Sequence, residues 1–224
     1  MNIFEKIFRG DNIRLSRFHT ESGKFADIFN ILDLFLAVFT WLRFKATSHY
    51  VVKPWWVYSA IRDVDKYLRS TDQVLEVGGG YSTIWLASRC GKVCSIEEDQ
   101  TWANAVSMHA ARKGLNNIEQ IIGDSRTLFM HKLGSKWDVV IIDGSRERFA
   151  IFNDLLASAA KPRIIIYDDT DKADNFAALS VPMHGYVKRV YRGFKPQTVH
   201  TCETTLFMIS QDPRVSPHQS RARK

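Results

Sequence analysis

Several short stretches of this chain combine residue types and spacings that could do chemistry. The first is Glu76-Val77-Gly78-Gly79-Gly80-Tyr81-Ser82-Thr83. Consecutive glycines let a backbone turn sharply and approach a ligand closely, because no Cβ stands in the way. A dinucleotide-binding loop wants glycine where Thr83 stands, so the array departs from that fingerprint. In Ser95-Ile96-Glu97, the acid lies about 20 residues beyond Glu76, the offset at which a carboxylate meets ribose hydroxyls. Its neighbours Glu98 and Asp99 read as a solvated helix start. In Gly123-Asp124-Ser125, Asp124 could serve a ligand, cap a helix, or do both. Asp143 follows Val139-Val140-Ile141-Ile142, and Asp168-Asp169 follow Ile164-Ile165-Ile166-Tyr167. Carboxylates in such places can take a proton from a nucleophile or hold a hard cation such as Mg²⁺. Arg146 and Arg148 could clamp a carboxylate or phosphate, although exposed charges opening a helix are the simpler reading.

Each of these stretches must sit at the end of a strand. From residue 73 onward short apolar runs alternate with amphipathic stretches. The runs 73–77, 92–97, 118–122, 137–143 and 163–168 read as strands, and 82–90, 100–113, 125–133 and 147–160 as helices. Such alternation implies right-handed crossovers and a parallel sheet covered on both faces. Two further strands, 185–192 and 203–210, can close the sheet as an antiparallel hairpin. The expected fold is therefore α/β, Rossmann-like, with a seven-stranded mostly parallel sheet and an antiparallel last hairpin. Ligands of open α/β sheets bind beyond the carboxyl ends of the strands, where strand order reverses. Residues 1–70 read as a helical extension or cap, with helices at 3–9, 25–44 and 54–69, the last with Pro54 in its first turn. Residues 71–211 make the main domain, and 212–224 a basic disordered tail. Trp55, Trp56 and Tyr58 read as packing, though one of them could floor a pocket.

The ordered loops resemble those of class I S-adenosylmethionine-dependent methyltransferases, whose first motif is acidic-x-Gly-x-Gly-x-Gly. Glu76, Gly78 and Gly80 match it, with Ser82 in the third small position. The resemblance covers about residues 50–210 and implies S-adenosylmethionine as cofactor, held by Glu76, Gly78, Gly80, Ser82, Glu97, Asp124, Ser125 and Asp143. In that family the acid matching Asp124 accepts from the adenine amino group. Metal-dependent O-methyltransferases also carry an Asp after strand four and an Asp-Asn pair after strand five. The likeness implies Asp143 and Asp169 as catalytic residues, and Asp143, Asp168 and Asp169 as ligands of Mg²⁺. Asp169 or Thr170 takes the Asn position, a departure that bears on the metal. The implied reaction is methyl transfer to a small molecule or sugar, at oxygen first, with nitrogen acceptors left open. A spermidine-synthase-like aminopropyltransferase shares the triple glycine but has a strand-rich N-terminal region. A non-catalytic protein that keeps the cofactor pocket is the rival of another class.

Bulk properties bound the partners. The chain has 224 residues, 45% hydrophobic and 25% charged, and a formal net charge of +7. That excess suits an anionic small substrate or an acidic surface. Nucleic acid is disfavoured, because part of the excess (Arg214, Arg221, Arg223 and Lys224) lies in the tail. Cys90, Cys94 and Cys202 match no zinc spacing or disulfide framework, and free thiols suit a cytoplasmic setting. No secretory leader pattern opens the sequence. The stretch 25–44 is rich in Phe, Leu and Ile, yet Asp27, Asn30, Asp33 and Thr40 recur along one helical face. It reads as an amphipathic helix that covers the domain, pairs in a homodimer or, third, lies on a membrane. It does not read as a spanning segment.

Overall fold

A computed structural model describes residues 12–215. The expected helix 3–9 and residues 216–224 of the expected tail lie outside the described residues. One seven-stranded sheet forms the centre: β1 (Gln73–Val77), β2 (Lys92–Glu97), β3 (Ile118–Ile122), β4 (Val139–Ile142), β5 (Ile164–Asp168), β6 (Tyr186–Phe194) and β7 (Thr201–Ile209). Its spatial order is β3-β2-β1-β4-β5-β7-β6. The first five strands pair in parallel, with Val77 opposite both Ile96 and Ile142. β7 runs antiparallel to β5 and to β6, closing the sheet as a hairpin. This is the Rossmann-like, mostly parallel seven-stranded sheet with an antiparallel last hairpin expected from the alternating pattern.

The helices are α1 (Asp33–Thr47), α2 (Tyr58–Tyr67), α3 (Tyr81–Ala87), α4 (Gln100–Arg112), α5 (Ser125–Lys132), α6 (Arg148–Ala157) and the short α7 (Ala173–Phe176). Alternate strand residues feed two apolar layers, as a period of two requires. Val74, Ile141, Ile166 and Leu206 pack with Trp56, Ile61 and Trp85 on one face. Leu75, Val140, Ile165 and Phe207 pack with Phe129, Ile151 and Phe152 on the other. Every side chain of α3 from Ser82 to Ala87 is buried, so the glycine loop feeds directly into the core.

The N-terminal elements depart from the sequence expectation in two places. The stretch 25–44 divides into a 3₁₀ turn at Ile28–Asn30 and the helix α1. The helix expected from Pro54 begins instead at Tyr58. Trp56 and Val57 are wholly buried, and the Val57 N–H donates to the Thr204 hydroxyl at 3.1 Å, which pins the chain in extended form before the helix starts. At the other end, Pro213–Val215 forms a 3₁₀ turn, with Asp212 and Val215 buried and Ser210, Gln211 and Arg214 exposed. Cys90, Cys94 and Cys202 are free and buried. Among the described residues no helix is long and apolar enough to cross a membrane.

Candidate functional site

Strand order reverses between β1 and β4, and their carboxyl ends carry the closest backbone approach of the site. Gly78 sits at φ +87°, and a Cβ there would lie 2.6 Å from the Asp143 carbonyl carbon. Gly144 sits at φ +66°, and a Cβ there would lie 2.6 Å from the Gly78 Cα. Only glycine at both positions allows the two loops to touch. The loop is clipped from beneath by Thr83. Its hydroxyl accepts from the Gly80 N–H at 2.9 Å and donates to Glu76 Oε2 at 2.5 Å. Ser95 donates to the same oxygen at 3.1 Å, while Glu76 Oε1 is buried with no hydrogen-bond partner among the described residues, and the Ser82 hydroxyl also favours the charged carboxylate. Thr83, which in the sequence only marks a departure from the dinucleotide pattern, is thus the residue that fixes this loop. Burial pushes the Glu76 carboxyl up to about 7.

Above the loop lies a cavity of about 430 Å³. Of the sequence-predicted cofactor residues, Gly78, Gly80, Ser82, Glu97 and Asp143 line it, and Gly79 and Gly144 complete the floor. Glu97 Oε1 accepts from the backbone N–H groups of Glu98 and Asp99, both at 2.9 Å, which leaves Oε2 to a ligand. Burial raises the Glu97 carboxyl above its usual range. Glu76 lies behind the loop rather than in the cavity. Asp124 is exposed and caps α5 by accepting from the Thr127 N–H at 2.8 Å. Ser125 is buried, its N–H on Glu98 Oε1 at 3.3 Å. Neither Asp124 nor Ser125 lines the cavity.

The sequence pattern pointed to none of Tyr50, Lys53, Tyr81 or Trp102, all of which line the cavity. Tyr50 is the hub of an aromatic wall, with ring centroids 5.7 Å from Trp55, 5.4 Å from Tyr81 and 5.6 Å from Trp102. The Trp102 indole N–H donates to the Gly79 carbonyl at 2.8 Å, tying α4 to the loop. Such aromatics look like ordinary core residues in a sequence. Their only signal is proximity to the glycines, and that proximity is tertiary for Tyr50 and Trp102.

The remaining predicted residues meet at the mouth. Asp143 Oδ1 accepts from the Gly144 N–H at 2.6 Å and from Arg148 at 3.1 Å, and Oδ2 accepts from the Trp56 indole at 3.3 Å. Arg148 also lies 3.5 Å from Asp169. Lys195, from the β6–β7 loop, donates to Asp168 and to Asp169, each at 2.5 Å, and Lys172 reaches Asp169 as well. Thr204 donates to the other oxygen of Asp168 at 2.6 Å. Burial works against the charge on Lys195, but the Asp168 and Asp169 carboxylates hold the ammonium above its usual range. Three carboxylates are therefore matched by Arg148, Lys172 and Lys195. A divalent cation does not fit, since it would have to displace Lys195 from both carboxylates and sit beside Arg148. Among the described residues, no group of three His, Cys, Asp or Glu side chains could hold a metal ion. The Mg²⁺ expected at Asp143, Asp168 and Asp169 is replaced by cations the protein itself supplies.

No family profile matches the sequence, and a search of curated proteins finds no match either. Comparison with solved structures is informative about the fold. An O-methyltransferase from Bacillus cereus, in complex with SAH, superimposes with a TM-score of 0.58 at 18% identity, over 80% of this chain and 90% of that one. The fold is that of class I S-adenosylmethionine-dependent methyltransferases. The O-methyltransferase TomG from Streptomyces achromogenes, in complex with SAM, matches this methyltransferase fold with a TM-score of 0.56 at 19% identity, over 79% and 88% of the two chains. An rRNA methylase from Streptococcus thermophilus matches with 0.54 at 15% identity, over 71% and 99%.

Proposed function

We propose that this chain is an S-adenosylmethionine-dependent methyltransferase whose acceptor is an oxygen of a small molecule or sugar. The observation that carries the reading is the paired Gly78–Gly144 approach at the strand-order reversal, with Glu97 and Asp143 both lining the cavity above it. Gly78, Gly79 and Gly80 offer a cradle without side chains. Glu97 is placed to accept from ribose hydroxyls through the oxygen its backbone bonds leave over. The aromatic wall of Tyr50, Tyr81 and Trp102 suits a cationic ligand, since ring faces attract positive charge. When bound, S-adenosylmethionine supplies an electrophilic methyl group on a sulfonium.

Asp143 is the carboxylate of the mouth that reaches the cavity, so it is placed to take the acceptor's proton as the oxygen attacks. Trp56 and Arg148 fix its two oxygens. Asp169 stays behind it and acts through Arg148, as a positioning residue. Lys53, on the cavity wall, favours an acceptor that carries negative charge. Two of the similar solved structures are O-methyltransferases, which supports the choice of oxygen.

Isothermal titration with S-adenosylmethionine, its demethylated product and NAD tests the cofactor. Binding of both sulfur ligands is expected, and binding of NAD alone overturns the reading. Incubation with methyl-labelled cofactor and either a metabolite extract or RNA then tests the acceptor. Label is expected in small molecules, and label confined to RNA would refute that part. Asp143→Asn should keep cofactor affinity while losing about 10²–10⁴ in turnover. Full turnover in that variant would place the chemistry elsewhere.

A further inference from the structure

Helix α1 is turned inside out relative to an ordinary surface helix. Asn30, Asp33, Ala37 and Thr40 face the protein, while Ile28, Leu32, Phe35, Leu36, Phe39 and Leu42 are 48–73% exposed. The inward contacts are specific. Arg62 grips Asp33 at 2.8 and 2.9 Å, the Asn30 amide donates to the Arg192 carbonyl at 3.0 Å, and the Thr40 hydroxyl accepts from the Gln197 N–H at 2.9 Å. These bonds fix the rotation of the helix and hold its Phe- and Leu-rich stripe outward. A stripe of this kind, running through α1 and the turn before it, marks an interaction surface.

We propose that this face docks on an anionic lipid surface, with α1 lying in the plane of the interface. Charge selects the partner. Between Ile28 and Ser48 the single acid is Asp33, which is buried against Arg62, whereas Arg43 and Lys45 are exposed at the C-terminal end of the stripe. Self-pairing offers these cations little. In a parallel pair they meet their own copies. In an antiparallel pair they lie over the start of the stripe, where Asp33 is buried against Arg62 and only the half-exposed Asp27, which already accepts from the Arg192 N–H, could face two cations. Phosphate headgroups supply the missing negative charge, and the net charge of +7 adds long-range attraction. Fifteen residues give a helix roughly 22 Å long, short of the roughly 20 apolar residues a span requires, so the helix lies on the bilayer rather than through it. The proposal does not depend on the reaction the cavity performs.

Flotation of the full chain with vesicles of phosphatidylcholine alone, or containing a third phosphatidylglycerol, tests it, with size-exclusion chromatography run in parallel. Association with the anionic vesicles at physiological salt is expected. Phe35→Ser with Phe39→Ser should reduce it by at least ~10-fold, because each ring otherwise leaves water on binding. Arg43→Glu with Lys45→Glu should reduce it several-fold. Neither pair makes a core contact, so circular dichroism should match the parent chain. Absence of vesicle association overturns the proposal, as does association that the Phe35 and Phe39 changes leave intact. A chain that elutes as a dimer, ignores vesicles and becomes monomeric in the Phe35/Phe39 variant assigns the face to a second copy and equally overturns it.

Discussion

A carboxyl group taken wholly out of water favours its protonated form unless its neighbours compensate, and at Glu76 the hydroxyls of Ser82, Thr83 and Ser95 do so only in part. Thr83 and Ser95 donate to Oε2, while Oε1 has no hydrogen-bond partner among the described residues. With its carboxyl raised from 4.5 to about 7 in the folded chain, Glu76 contributes stability that is fully present below pH 4.5 and lost as pH rises through 7. Glu76→Gln keeps the acceptor for Thr83 and Ser95 without the ionisation. It should gain on the order of 3 kcal/mol over the parent chain above pH 7 and little at pH 4.5. Denaturant titrations of both proteins at pH 4.5 and pH 8 measure this, and parallel pH dependences would disprove the account. Glu97 belongs to the same scale but to another function. A hydrogen bond to a charged group contributes about 1.5–3 kcal/mol, so Glu97→Ala should weaken S-adenosylmethionine binding roughly ten- to hundredfold. An unchanged affinity would return Glu97 to the role of a loop carboxylate that only accepts from Glu98 and Asp99.

At the scale of elements, the site depends on the β1 and β4 ends meeting without a Cβ between them. Gly144→Ala combines a left-handed backbone with a 2.6 Å overlap on Gly78. Strain and overpacking together should cost on the order of 3 kcal/mol and open the cavity floor. Gly114 is the control, because it has a similar φ of +69° but nothing within 4 Å of its would-be Cβ. Gly114→Ala should cost only about 1–2 kcal/mol of backbone strain. Thermal melts with and without cofactor separate the two, and equal losses would show that the Gly78–Gly144 approach is unimportant. The strands themselves were readable, since Val139–Ile142 and Ile164–Asp168 are short β-branched runs that both faces of a sheet can bury. The start of α2 was not. Nothing local in Pro54-Trp55-Trp56 forbids a helix, and it is the remote Thr204 that holds Val57 extended.

Across the whole molecule, the mouth is assembled from segments distant in the chain: Asp143 and Arg148 after β4, Asp168 and Asp169 at the end of β5, Lys195 and Thr204 from the last hairpin. Removing one partner of a buried ion pair costs about 3–5 kcal/mol, because the other charge stays buried and uncompensated. Lys195→Met should therefore lower stability by that amount, and adding Asp168→Asn should restore part of it. Because the protein's own cations already neutralise the cluster, neither Mg²⁺ nor a chelator should move the melting temperature of the parent chain. A rise with Mg²⁺ would show that Lys195 yields its place to a metal.

The sequence by itself determined the strands, their alternation with helices, the seven-stranded α/β sheet and the loops that could hold chemistry, and the methyltransferase likeness rests on how those loops resemble the family's motifs. Each of those is written in a local pattern of period two, period 3.6 or adjacent glycines. Gly78, Gly80, Ser82, Glu97 and Asp143 share one cavity for the same reason: each lies at or just past the end of a strand whose position the alternation sets. Tertiary structure alone decided that Glu76 lies behind the loop, that Asp124 and Ser125 stay outside the cavity, and that Lys195 sits between Asp168 and Asp169. It also decided which face of α1 turns outward. The spacing of Asp33, Ala37 and Thr40 defines that face equally well whether it points in or out, and the choice was made by Arg62, Arg192 and Gln197, which reach it from other parts of the chain.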